Sequence, residues 1–154
     1  MPVVVKIVSG GQTGVDRAAL DFALARRIKC GGWCPKGRRA EDGPLDSLYP
    51  LIETDTPDYA IRTELNVKDS DGTLIITKSK PSGGTALTIL CAKKLKKPCF
   101  VVDLTKPSSD SDSELTAWIT TNKIKTLNIA GPRESGKPGI YDDAMKFLET
   151  HQLF

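Results

Sequence analysis

Three stretches of this 154-residue chain combine glycines with hydroxyl, amide or basic side chains in a way suited to holding negative charge. They are Ser9-Gly10-Gly11-Gln12-Thr13-Gly14, then Pro81-Ser82-Gly83-Gly84-Thr85, and Gly131-Pro132-Arg133-Glu134-Ser135-Gly136-Lys137-Pro138-Gly139. Glycine at positions 10, 11 and 14 permits positive φ and lets the backbone approach a ligand with no Cβ in the way. Where such a loop opens a helix, the first N–H groups have no intrahelical partner, and with the helix dipole they attract an anion. Gln12 and Thr13 can add side-chain hydrogen bonds to a phosphate or a base. The same physics applies to Gly83, Gly84 and Thr85. The ligand class implied is a small phosphate-bearing molecule, held by the amides of residues 10–14 and 83–85.

Basic residues surround these loops: Arg17, Lys36, Arg38, Arg39, Arg62, Arg133 and Lys137. Most lysines and arginines are solvated surface, but Lys36, Arg38 and Arg133 lie in glycine- and proline-rich loops, where a packed helix face does not explain them. With Arg62 they are expected to complete an anionic cage. Candidate catalytic carboxylates are Glu64, Asp16 and Glu134. Asp16 suits a cap on the first helix better than a base, and Glu64, two residues after Arg62, belongs on a different helical face. Trp33 reads as core or as a ring that stacks on a heterocycle. Gly10-Gly11-x-x-Gly14 does not match the dinucleotide fingerprint and no Walker lysine is present, which argues against NAD binding and ATP hydrolysis.

Loops meet at one rim only if the intervening elements alternate strand and helix. Val3 to Val8 reads as a buried parallel strand and Asp16 to Lys29 as a helix. Cys30 to Trp33 suits a short strand, whereas 35–44 is too rich in glycine, proline and charge for regular structure. Further strands are expected at Tyr49–Thr54, Thr73–Thr77, Cys99–Leu104 and Thr126–Ala130. Helices are expected at Asp58–Lys68, from Thr85 or Ala86 to Leu95, at Asp112–Asn122 and at Ile140–Glu149, with 108–113 an acidic capping loop. This order implies one Rossmann-like domain over 1–154, a three-layer α/β/α sandwich with a mostly parallel sheet. The loops after Val8, Thr77 and Ala130 then converge at the carboxyl edge, where such folds bind ligands.

Composition narrows the partners. A formal charge of +3 with 27% charged and 39% hydrophobic residues is ordinary for a globular domain and gives no sign of a nucleic-acid polymer partner. The apolar run at the start is too short for a signal or a membrane span, so a cytoplasmic protein is expected. In a reducing compartment Cys30, Cys34, Cys91 and Cys99 read as free thiols. Cys30 and Cys34 lack the further ligands a closed zinc site needs, since the one histidine, His151, lies near the C-terminus. No direct protein–metal site is expected.

Several words of the sequence together resemble a known family. They are residues 9–21, Gly31-Gly32-Trp33-Cys34-Pro35-Lys36-Gly37-Arg38 with Ala40-Glu41-Asp42-Gly43, Arg62-Thr63-Glu64-Leu65-Asn66-Val67, Gly83-Gly84-Thr85, and Asn128 to Ser135 with Pro138-Gly139-Ile140-Tyr141. The chain resembles the circularly permuted branch of the SLOG superfamily, proteins labelled molybdenum (cofactor) carriers. The resemblance implies a Rossmann-like fold, a nucleotide or molybdopterin-type ligand that brings any metal already chelated, and a homo-oligomer, dimer or tetramer. The superfamily also contains the lonely-guy phosphoribohydrolases, which Arg62 and Gly83-Gly84-Thr85 resemble. Here Thr85 is followed by Ala86-Leu87-Thr88-Ile89, with no carboxylate where the enzymes carry one. The expectation is therefore a binding protein, with a nucleoside-monophosphate phosphoribohydrolase as the alternative.

Overall fold

The computed structural model of the chain describes residues 3–106 and 111–154. It opens with β1 (Lys6–Val8), α1 (Val15–Ala25) and β2 (Lys29–Gly31). A run of short pieces follows, β3 (Trp33–Cys34), β4 (Arg39–Ala40), β5 (Gly43–Pro44) and β6 (Ile52–Glu53), and then α2 (Tyr59–Lys68), β7 (Gly72–Thr77), α3 (Gly83–Lys94) and β8 (Cys99–Asp103). The chain closes with α4 (Ser111–Thr121), β9 (Thr126–Ala130) and α5 (Ile140–Thr150).

Five strands form one parallel sheet in the order β2-β1-β9-β7-β8. The chain leaves β1 toward one edge, builds β7 and β8 on the other side, and lays β9 last between β1 and β7. This reversal makes the loops after β1, β9 and β7 immediate neighbours, the crevice in which parallel sheets take their ligands. The α/β/α expectation holds. β7, Gly-Thr-Leu-Ile-Ile-Thr, is buried along its whole length, as a central parallel strand requires.

Alternation along the strands sorts the two faces. Ile7, Leu74, Ile76, Leu127 and Ile129 pack with Phe22 of α1, Leu115 and Ile119 of α4, and Ala144 and Leu148 of α5 in the main core. The opposite face carries Thr73, Ile75 and Asn128, with Asn128 donating to the Thr73 hydroxyl at 3.2 Å, and there α2 and α3 pack together. A smaller core of Leu20, Cys34, Leu45 and Leu51 lies under the 35–51 segment.

The boundaries differ from the sequence expectation for local reasons. β1 is shorter than Val3–Val8, since Val3 and Val5 are exposed and the amides of Val4 and Val5 bond to Leu153 and Lys125 outside the ladder. α1 stops at Ala25 because Arg27 turns left-handed at φ 56°. Residues 35–44 are not wholly irregular: β4 and β5 pair antiparallel. The strand expected at Tyr49–Thr54 shrinks to the two residues of β6, paired parallel with β3. The expected acidic loop falls partly outside the described residues at 108–110, and α4 starts at Ser111. Among the described residues no helix is long and apolar enough to cross a membrane, and no three histidine, cysteine or acidic side chains gather as metal ligands.

Arg38 explains the path of the 35–51 segment. Its guanidinium donates to the carbonyls of Leu45, Asp46, Tyr49 and Leu51 at 2.7–3.2 Å, replacing the ladder partners that this segment lacks. Hydrogen bonds from a charged donor contribute more than neutral ones. Arg38→Ala is expected to lower stability by about 2–3 kcal/mol in urea unfolding, because four backbone carbonyls lose their donor at once.

Candidate functional site

A cavity of about 270 Å³ opens at the carboxyl ends of β7 and β9. Its walls come from the loop after β1 (Gln12), the start of α1 (Asp16), α2 (Tyr59, Arg62, Thr63), the β7–α3 connection, and the loop after β9 from Ala130 to Lys137. Of the residues expected to bind, Gln12, Arg62, Gly83, Gly84, Thr85, Gly131 and Arg133 line it, and so does Asp16. Gly10, Gly11, Thr13, Gly14, Lys36 and Arg38 are not among its walls, and neither are Glu64 and Glu134.

The two glycine loops that start helices differ in what their amides meet. In the first loop Asp16, 4% exposed, turns its Oδ2 back onto the Gln12 amide at 3.2 Å, while the Gly11 amide bonds the Ser9 hydroxyl and the Thr13 amide bonds the Gln12 side chain. The amides of residues 11–13 are thus taken within the chain, by the Ser9 hydroxyl, the Asp16 carboxylate and the Gln12 side chain, and are not free for a ligand. Its glycines serve packing instead. At Gly14, φ 78°, a Cβ would stand 2.3 Å from the Pro132 carbonyl oxygen, and at Gly11, φ 80°, it would strike Leu51 and Leu45. Gly10 lies under the Arg62 guanidinium, and Gly131 against the Ile76 carbonyl and Val15.

The start of α3 has none of this self-satisfaction. No acidic residue occupies its first turn, and the Ser82 side chain makes no cap hydrogen bond. The Thr85 amide is taken by the Ser82 carbonyl at 3.1 Å, which leaves Gly83 and Gly84 as the amides without an acceptor among the described residues. A Cβ at Gly83 or Gly84 would meet nothing within 4 Å. Both glycines line the cavity and are exposed, so no side chain of the described residues fills the space beside this helix start.

Charge in the cavity is unbalanced. Arg62, Lys80, Arg133 and Lys137 line it against the single carboxylate of Asp16. Arg62 donates from Nη1 to Asp16 Oδ2 at 3.4 Å, and its side chain is 14% exposed. Burial pushes the Asp16 carboxyl above its ordinary 3.8, against the opposing pull of the Arg62 charge and the Gln12 amide. Tyr59 is the aromatic wall, with the guanidinium carbons of Arg62 and Arg133 at 5.5 and 6.0 Å from its ring centre.

The residues outside the cavity have other partners. Lys36 is exposed on the 35–44 segment. Glu134 accepts from the amides of Gly139 and Tyr141 at 2.6 and 3.0 Å and so caps α5. Glu64 is exposed on α2, on a different side from Arg62. Trp33 does not line the cavity; its indole N–H bonds Asp69 at 2.8 Å and its backbone pairs with the Asn66 side chain. Arg17 is committed to the Gly11 carbonyl and, bidentately, to Asp42. Glu41 straps the segment across the rim, bonding Thr13 and both the amide and hydroxyl of Ser135. Burial acts to raise the Glu41 carboxyl, but the Ser135 and Thr13 hydrogen bonds outweigh it and hold it below its ordinary range.

Sequence reasoning did not single out Tyr59, Ser79 or Lys80 as binding residues. Tyr59, the first residue of α2 behind the Asp58 cap, lies at the rim. The signal available for Lys80 was its place in the loop that follows β7.

The family model for the circularly permutated YpsA SLOG family matches residues 7–152. A crystal structure of a "Putative molybdenum carrier protein" from Syntrophus aciditrophicus SB is similar to the chain at 51% identity and a TM-score of 0.93, covering 96% of this chain and 94% of that one. No curated protein matches the chain. With a family match across nearly its whole length and a half-identical neighbour of the same shape, the chain belongs to the circularly permuted YpsA SLOG family.

Proposed function

We propose that this protein binds and carries a small phosphate-bearing ligand, a nucleotide-like or molybdopterin-type cofactor, with its phosphate at the start of α3. The observation that carries this reading is the pair of amides at Gly83 and Gly84 without an acceptor among the described residues, in the wall of a cavity that four basic side chains also line. An oxyanion there gains the amides, the positive end of the helix and the field of Arg62, Lys80, Arg133 and Lys137. The similarity to a protein named for molybdenum carriage favours a cofactor cargo, and the lining fits one that arrives chelated. Its polar walls carry hydrogen-bond donors, with no thiol among them to bind a soft metal.

Asp16 favours a second reading, a phosphoribohydrolase, because it is the candidate carboxylate that lines the cavity and stays partly protonated more readily than an exposed one. One experiment separates the two. Incubated with nucleoside monophosphates or with isolated molybdopterin, a carrier shows a raised melting temperature and returns the ligand intact. At a hundredfold excess over Kd the gain is about 2.7 kcal/mol. Free base accumulating in the same tube, and ceasing in Asp16→Asn, would establish the hydrolase instead.

A further inference from the structure

Two buried side-chain donors, on residues that line the cavity, have no acceptor among the described residues. Gln12 is 6% exposed, and its Nε2 is buried without a partner. Its amide cannot be turned round, because Oε1 already accepts the Thr13 N–H at 3.0 Å and the Glu41 N–H at 2.8 Å. Nε2 is therefore the end left over. Arg62 presents the same situation: Nη1 is used on Asp16, while Nε is buried with no partner. Both residues line the cavity, and both are anchored on the same oxygen, Asp16 Oδ2, Gln12 by its backbone N–H and Arg62 by Nη1.

Buried donors are nearly always satisfied, and the exceptions call for an explanation. Leaving two such groups in one corner is unfavourable unless something that enters the cavity completes them. Neither group can accept a hydrogen bond, and one carries a full positive charge. Together they suit an oxygen that bears no proton.

We propose that Gln12 and Arg62 form a second polar subsite, one that reads an unprotonated acceptor oxygen of the ligand beside the phosphate held at α3. This rests on the anion-binding reading given above. The oxygen belongs either to a second phosphoryl group or to a carbonyl on a heterocycle, and the two sources share the same recognition chemistry. A ligand with hydroxyls alone gains little here, since a hydroxyl proton would face two donors.

Calorimetric titration of the full chain tests this with four probes: inorganic phosphate, inorganic pyrophosphate, guanosine monophosphate and ribose 5-phosphate. Pyrophosphate or guanosine monophosphate should bind at least about tenfold more tightly than phosphate, the equivalent of one good hydrogen bond to a charged group. Ribose 5-phosphate should bind no better than phosphate. Gln12→Leu should reduce the preference to within about threefold. Gln12→Glu keeps the oxygen that holds Thr13 and Glu41, and so keeps the 35–44 segment in place, but removes the donor; the preference should fall at least as far. A preference that survives in both variants overturns the subsite while leaving anion binding at α3 intact. So does a wild-type protein that favours ribose 5-phosphate over the other two. Wild-type protein that binds none of the four overturns the anion-binding reading, and the subsite with it.

Discussion

Gly84→Asp is expected to abolish phosphate binding and, in the same protein, to leave stability unchanged or slightly raised. The two effects separate because they act through different properties of one position. Gly84 is the second residue of α3, carries no positive φ, and has open space where its Cβ would be. Replacing glycine inside a helix removes backbone entropy from the unfolded chain, and an acidic group in the first turn favours the helix dipole, each by roughly 0.5–1 kcal/mol. That carboxylate also puts a negative charge where the ligand's phosphate belongs, and it supplies α3 with the internal anion that Asp16 already gives α1. Affinity for inorganic phosphate should drop at least about a hundredfold, from the loss of the amides and the added repulsion together. Gly84→Ala is the control, stabilising with a modest loss of binding. Thermal unfolding and calorimetry on the two variants decide the matter: binding retained in Gly84→Asp would place the anion elsewhere.

The same comparison shows how far sequence could reach. Strand and helix alternation was readable because β7 and β9 are short apolar runs and α1 has its small residues at helical spacing, so the α/β/α class and the meeting of three loops followed from pattern. The neighbourhood of the loops was readable too, since their places after β1, β7 and β9 depend on connectivity and not on side-chain detail. The division of labour among the loops was not. All three carry glycines, and nothing in the residue types distinguishes a glycine that must admit a ligand from one that must admit Leu51 or the Pro132 carbonyl. The first loop and the α3 loop differ in whether side-chain acceptors lie within reach of the amides. Asp16 stands beside the first loop in the sequence and suits a cap, yet the occupation of those amides depends on three separate side chains, Ser9 on Gly11, Asp16 on Gln12 at 3.2 Å and Gln12 on Thr13. Arg38 shows the converse. A basic residue in a glycine-rich loop satisfies the general condition for anion capture, but four carbonyls from a segment with almost no ladder partners take its donors first. Long-range partnerships of this kind, at sequence separations from 7 to 13 here and 46 for Arg62 with Asp16, are set by the fold and leave little trace in local composition.

Arg62→Met is expected to cost about 3 kcal/mol of stability at neutral pH, as removal of one partner from a buried ion pair does, and the loss should shrink as the solution is acidified. Asp16 and Arg62 have side chains 5% and 14% exposed, so neither charge is well solvated without the other. The direction with pH follows from Asp16. Its folded pKa is raised above 3.8, chiefly by burial, so its protonated form contributes stability that is fully present below 3.8 and is lost as pH rises through the folded value. Removing Arg62 takes away the charge that opposes this rise. The folded pKa then climbs further, and the carboxylate left at pH 7 is buried with no counter-charge. Urea unfolding from pH 4.5 to 7.5 should therefore show wild type and variant converging at the acid end and separating toward neutrality. Asp16→Asn combined with Arg62→Met removes both charges and should recover most of the stability at pH 7, with little pH dependence remaining from this corner. Phosphate affinity should not recover, because the guanidinium is one of the cations facing α3. A deficit of equal size at every pH would mean that Arg62 contributes packing over Gly10 and Tyr59 and not charge. Recovery of phosphate binding in the double variant would remove Arg62 from the site altogether.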